Sequence, residues 1–354
     1  MFLLIFRFAT GESEELDFYG TVTAPSWTSE PGTEILDLRH FPPATLRPLL
    51  EEETQAWSRI LAWDYSGSAD MILRYVEAKI LPGYVAVQRG RPVGYCFFVY
   101  EGSKGVVGDL YVSRALARDH EIECRLLTHG ISTLQHSPGV QRVEAQLLLH
   151  ATGAIAPPFV AEGFRQFPRL FMVQSLSAEP VRARRGPSSA RPSPGVPSDI
   201  EVRRWSEQDY SAAAGAITAA YQGHIDGEIN DQYRSVPGSL RFLNNIVRFP
   251  GCGVFDGGAS FVAVHRPTRA LAGLILCSRV KDDVGHVTQV CVIPEHRGRG
   301  LGRILLSHTA AELGRRSFSA LTLTVTEANR RAVALYERLG YVVGRVFDAF
   351  VWER

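Results

Sequence analysis

Residues 287–302 read VTQVCVIPEHRGRGLG, and a helical pattern opened by Leu301, Ile304 and Leu305 follows. Glycines at 298, 300 and 302 let the backbone turn with its N–H groups pointing inward. The N-terminus of the helix adds a partial positive charge to this nest. Arg297, Arg299 and Arg303 add full charges. A pyrophosphate suits such a site, although a plain glycine-rich turn between strand and helix reads the same way. No G-K-[ST] closes the loop, so it is not a Walker loop. The packed G-x-G-x-G spacing, with no early βαβ unit around it, makes a poor dinucleotide fingerprint.

A loop of this kind needs a strand to deliver it and a helix to receive it. The patterns predict strands at 200–203, 260–264, 271–280, 287–293 and 321–325, then 341–347 and 350–352 at the end. Helices are expected over 207–221, 238–248, 301–315 and 329–339, the last closed by Gly340. This alternation points to an α/β domain around a mixed sheet. With 354 residues the chain has room for two or three domains. Ser177 to Asp199 holds five prolines, four arginines and no aromatic residue, too little apolar surface to order itself, and reads as a linker. The expected division is an extension over 1–33, a first domain over 34–176, the linker over 177–199 and a second domain over 200–354.

Charge follows the same division. Residues 1–176 are net −5 and residues 200–354 net +4, so a polyanionic ligand belongs with the second half. The formal charge of the whole chain, +1, excludes the broad electrostatic footprint of a duplex nucleic-acid binder. No apolar run approaches the length of a membrane-spanning helix. The opening MFLLIFRF lacks a basic n-region and a cleavage site, so a short strand or an extension of uncertain order is expected there, not a signal peptide. Cys96, Cys124, Cys252, Cys277 and Cys291 are scattered and form no C-x-x-C pair, which predicts neither disulfide framework nor zinc site and suits a reducing cytoplasm.

Arg297-x-x-Gly300-x-Gly302 after a V-x-P strand resembles motif A of the GNAT acyl-CoA N-acyltransferases. Residues 327–341, EANRRAVALYERLGY, resemble the same family's motif B, N-x-x-A-x-x-L-Y-E-x-x-G-[FY], in the right order and spacing. The resemblance covers about residues 200–354. It implies acetyl-CoA as cosubstrate, no metal, and direct transfer of the acetyl group from the thioester to a primary amine of a small molecule or peptide. Transfer of another acyl group, a biosynthetic tandem arrangement resembling mycothiol synthase, and acyl-CoA binding without turnover are the alternatives. The implied cofactor contacts are Cys291, Val292, Ile293, Arg297, Gly298, Arg299, Gly300, Leu301, Gly302, Arg303, Asn329 and Tyr336. Asn329, Val333 and Tyr336 share one helix face. Tyr336 is then the general acid for the departing thiolate, and a backbone N–H of the Val290–Val292 strand holds the oxyanion. In several GNAT subfamilies a Glu or His near this position deprotonates the amine through water, so the resemblance makes His286 the candidate base, and it shares a strand face with Thr288, Val290 and Val292. His224, Asp226 and Tyr233 are candidate acceptor contacts. Each has a plainer reading: Tyr336 as an aromatic anchor, Asn329 as a helix cap, His286 as a surface residue and the 221–234 stretch as a solvated loop. Cys291 reads as a small buried hydrophobe, not a nucleophile. The expected partners are acetyl-CoA and an amine, with no nucleic acid and no membrane, for a monomer or homodimer.

The first half repeats this order, with strands at 35–39, 84–87, 92–100, 106–112 and 143–149 and helices at 44–61, 69–78 and 122–134. RLLTHGISTL (125–134) aligns with ILLSHTAAEL (304–313), and EGF (162–164) with LGY (339–341). The fold class expected is therefore α/β: two GNAT-like domains in tandem, each a mixed, mostly antiparallel sheet flanked by helices. The first copy's loop, RALARDHEIE (114–123), has no glycine and is acidic, and Phe159 stands where the second copy has Tyr336. A degenerate, noncatalytic first copy follows.

Overall fold

In the computed structural model, residues 32–116, 119–176, 195–248 and 253–354 are described. The extension, most of the linker and Cys252 lie outside them. The first half runs β1 (Thr33–Asp37), α1 (Pro43–Leu61), α2 (Ser66–Glu77), β2 (Gly83–Gln88), β3 (Arg91–Glu101), β4 (Lys104–Val112), α3 (Glu121–His136), β5 (Arg142–Gln146), α4 (Ala156–Ala161) and β6 (Arg165–Ser175). The second half runs β7 (Ile200–Arg204), α5 (Tyr210–Tyr221), α6 (Ile225–Ile229), α7 (Val236–Arg248), β8 (Val254–Phe255), β9 (Phe261–His265), β10 (Leu271–Lys281) and β11 (Val284–Val292). It closes with α8 (Leu301–Arg315), β12 (Ala320–Thr326), α9 (Arg330–Arg338) and β13 (Val342–Glu353). The two short C-terminal strands expected from sequence are one strand.

Among the described residues thirteen strands join a single mixed sheet, and all but β8 follow one path, β1-β2-β3-β4-β5-β13-β6-β12-β11-β10-β9-β7. Read from either end, that order pairs each strand with its counterpart in the other half. The last strands are exchanged: β6 lies antiparallel to β12, and β13 antiparallel to β5, with β6 and β13 side by side at the centre.

Side chains follow the exchange. On one face of the second half, α8 and α9 cover a core containing Leu305, Leu313, Leu321 and Tyr336, into which β6 sends Leu170 and Met172. On the equivalent face of the first half, Leu126, Leu127 and Phe159 receive Phe350 from β13, whose ring stacks on Phe159 at 4.0 Å. Burying a phenylalanine fully stabilises by about 2–3 kcal/mol, so each half is held by the other's last strand. The opposite face is one core shared by α1, α2, α5 and α7, where Trp57, Trp63, Phe171, Ile217 and Phe242 meet.

Candidate active site

Strand β11 makes the site by what it does not pair with. It runs parallel to β12 only from Val284 to Val287, opposite Ala320–Leu323, and then splays away. Its other edge stays on β10, but Leu276 faces Gln289 while Cys277 faces Val287, leaving Thr288 as a bulge. The bulge reverses the alternation. His286 lies on the side of the shared core, and beyond the bulge that side is taken by Gln289 and Cys291, while Val290 and Val292 turn to the α8 side. Ile293 N–H donates to the Ala272 carbonyl of the β10 side, so by alternation the N–H and C=O groups of Val290 and Val292 face the wedge between β11 and β12.

The wedge opens into a cleft of about 570 Å³. Gly298 and Gly300 bound one end, both with left-handed backbone, φ 76° and 80°. That conformation strains any residue with a Cβ, and it aims the loop at the first turn of α8. The first backbone bond of α8 is Ile304 N–H to Gly300 C=O, which leaves the N–H groups of Leu301, Gly302 and Arg303 without helical partners. Arg303 lines the same end, and its Nη2 is buried with no partner. Orphan donors plus a guanidinium are the donor set that a pyrophosphate needs. Arg297 lines the cleft too, but its guanidinium donates to the carbonyls of Ala220 (2.6 Å) and Val292 (3.3 Å). Arg299 points elsewhere, paired with Asp199 at 2.5 Å, and neither it nor Ile293 lines the cleft.

At the other end stands Tyr336, 7% exposed. Burial raises its phenol above the ordinary value, the charge of Asp226 adds to this, and Arg169 opposes it. The phenol is therefore protonated throughout the neutral range. Asn329 caps α9 by accepting from the Ala332 N–H at 3.3 Å, and its amide nitrogen lies 3.2 Å from His224 Nε2. The Nδ1 of His224 lies 3.5 Å from Asp226, whose carboxylate accepts from the Thr326 hydroxyl. Tyr233 stacks on Tyr221 at 4.3 Å, and Tyr221 donates to Gln289 at 2.8 Å. Cys291, Val292, Leu301, Gly302, His224, Asp226 and Tyr233 all line this cleft, so it gathers most of the residues expected from sequence. Burial pushes the Cys291 thiol up to about 12, which keeps it a thiol.

His286 is not among them. It is 5% exposed, edge-on to Trp63 at 4.9 Å and stacked over Phe171, with Nδ1 bonded to Thr322 at 2.8 Å. Burial lowers its pKa to about 3. It stands on the stretch of β11 still paired with β12, before the wedge opens, and the bulge at Thr288 also breaks the alternation that would have put it on the side of Val290 and Val292.

Three cleft residues escape the sequence reading. Gln289 is 3% exposed, with Nε2 buried and unpartnered, and Tyr221 holds its other amide atom. Arg169 comes from β6, in the first half, where the pattern announces no strand because Pro168 argues against a central one. Elsewhere, among the described residues, ligand atoms of His120, Glu123 and His150 lie within 4.8 Å of one another, in the first half and outside this cleft. His120 there caps α3 with left-handed backbone, φ 59°, as Gly300 caps α8.

Residues 237–341 match the model of the acetyltransferase (GNAT) family. The ribosomal protein bS18-alanine N-acetyltransferase of Escherichia coli (strain K12) is 41% identical over 59 residues, 17% of this chain and 40% of that protein. The mycothiol acetyltransferase of Thermobifida fusca is 38% identical over 96 residues, 25% of this chain and 29% of that protein. The chain thus spans well under half the length of these curated relatives. A GCN5-related N-acetyltransferase from Sphaerobacter thermophilus shares the fold across both halves, with TM-score 0.64, 19% identity, and coverage of 92% of this chain and 97% of that one. The glycine loop, the splayed strands and the family match all fall on one stretch of chain, and residues 237–341 are similar to the acetyltransferase (GNAT) family.

Proposed function

We propose that the protein transfers the acetyl group of acetyl-CoA directly to a primary amine. The observation that carries this is the wedge itself: backbone N–H groups of Val290 and Val292 that β12 does not pair, with orphan donors at one end and a buried, protonated phenol at the other. The pyrophosphate lies on the N–H groups of the loop and Arg303. The pantetheine arm runs along β11 and bonds its free backbone groups. A neutral amine attacks the thioester carbon, and the carbon–nitrogen bond forms as the carbonyl oxygen becomes negative. A free N–H of Val290 or Val292 stabilises that charge. When the carbon–sulfur bond breaks, the thiolate takes its proton from Tyr336. His224, oriented by Asp226, accepts the amine proton through water, the role that sequence alone would give to His286.

Tyr336→Phe tests the reading, because it keeps the ring and its packing on Tyr341 at 5.8 Å and removes only the proton. Affinity for acetyl-CoA holds within about threefold while kcat falls roughly 10²-fold. Free thiol released in the presence of amines is the measurement. A wild-type protein that binds CoA and releases none across an amine panel is a binding protein, and the proposal fails.

A further inference from the structure

We infer that the acceptor carries an anionic oxygen group beside its amine, and that Arg169, supplied by the first half of the chain, holds that group. The inference rests on the transferase reading and adds to it a substrate class.

Strand exchange is what brings Arg169 to the site. On β6 it stands opposite Thr326 of β12 on one side and Phe347 of β13 on the other. Leu170 and Met172 project into the α8–α9 core, so Arg169 and Phe171 project to the opposite face. That face of the cleft carries Tyr221, Tyr233 and Gln289, and Asp226 accepts from Thr326, the β12 partner of Arg169. The arginine is therefore on the side from which an amine approaches.

No ion pair or side-chain hydrogen bond of Arg169 occurs among the described residues, and its Nε is fully buried without a partner. Other arginines near the centre of the sheet are engaged. Arg345 donates to two carbonyls, and Arg142 to Glu144 and Glu353. A buried donor left unmet costs on the order of 1–3 kcal/mol, and an arginine fork is shaped to receive a carboxylate or phosphate bidentately. Its charge reaches Tyr233 and Tyr336, opposing Asp226 at both phenols, so it sits within the reacting end of the cleft. Asp226 and Arg169 line one cleft with opposite charges yet make no ion pair with each other. The carboxylate accepts from the Thr326 hydroxyl, the Asp226 N–H donates to His224 Nδ1, and the guanidinium is left for a ligand.

The experiment uses the full chain with acetyl-CoA and three sets of amines: α-amino acids, the decarboxylated amines that match them, and phosphorylated amines such as phosphoethanolamine. Anionic acceptors are used with kcat/KM at least about tenfold above their neutral counterparts. Whether the carboxylates or the phosphates lead identifies the group. Arg169→Gln raises KM for the anionic acceptor about 10–100-fold, leaves kcat within about threefold and leaves KM for acetyl-CoA unchanged; Arg169→Lys restores part of the loss. Equal use of neutral amines overturns the inference and leaves the transferase reading standing. So does a variant whose only change is a higher KM for acetyl-CoA. If no amine in the panel is acetylated, calorimetric titration of the CoA-loaded protein with the same pairs decides. Preference for the anionic member, lost in Arg169→Gln, supports the inference even then, and absence of preference overturns it.

Discussion

His286 gives a sharp physical test of where β11 places its side chains. The ring is buried between Trp63 and Phe171, and its pKa falls from 6.5 to about 3 because burial disfavours the charged form. The sign follows from linkage. Above pH 6.5 both folded and unfolded chains hold a neutral imidazole, and the group's contribution to stability is complete. As pH falls below 6.5 the unfolded chain takes up a proton that the folded chain refuses, so stability is lost progressively down to about pH 3. Each pH unit in that window costs about 1.4 kcal/mol, so by about pH 4.5 the loss from this residue is on the order of 3 kcal/mol. His286→Gln removes the titrating group. It loses ring packing worth about 1–3 kcal/mol at neutral pH, but its stability then falls less steeply with acid. Urea midpoints for both proteins between about pH 7 and about pH 4.5 are the assay, and the deficit of the variant should shrink by on the order of 3 kcal/mol across that range, enough to close or reverse it. His150, lowered to about 4 by its own burial, titrates in both proteins and cancels. Parallel pH dependence would refute the reasoning, because it would mean that the imidazole takes a proton within the fold. The same variant should keep the acidic limb of its turnover profile; losing it would return the role of base to His286.

Two further predictions concern the cleft. Gly300→Glu places a carboxylate in the nest at φ 80°. Strain of about 1–2 kcal/mol leaves the sheet folded, as far-ultraviolet circular dichroism will show, while calorimetry finds CoA binding weakened by more than about 100-fold; retained binding would remove the pyrophosphate from this loop. His224→Ala lowers kcat/KM for the amine by about 10²-fold without changing KM for acetyl-CoA, and an unaffected rate would shift proton acceptance to Asp226.

The parts of the site that lie on one continuous stretch were legible. Glycines at fixed spacing after a β-branched strand imply a loop with positive φ and a helix N-terminus, and Asn329 with Tyr336 requires only a helix to share a face. Those inferences use local geometry, and the cleft contains both residues. His286 needed one more fact, the register of β11 against β10. A bulge adds a residue to one strand without altering composition or pattern, so nothing around Thr288 distinguishes it from an unbroken strand. Gln289 and Tyr221 were hidden for the same reason, since their meeting depends on which face Gln289 takes after the bulge.

Arg169 was illegible for a different reason, which concerns the fold as a whole. The repeat of elements is visible in sequence, and so is the loss of glycine and phenol from the first copy. Which fifth strand a last strand pairs with is not visible, because β6 is hidden by Pro168 and both β6 and β13 carry a central apolar run that either sheet would bury. The exchange changes what the first half is for. Its α3–α4 face, with Phe159 stacked on Phe350, holds β13 in place, and its own last strand pairs with β12 and sends Arg169 into the second half's cleft. A cut at the 177–199 stretch would take β6 and Arg169 away from the cleft and strip β13 of both its neighbours. An isolated second half that failed to bind CoA would therefore report a broken sheet, not the location of the anion nest. Single substitutions in the intact chain are the perturbations that separate the two.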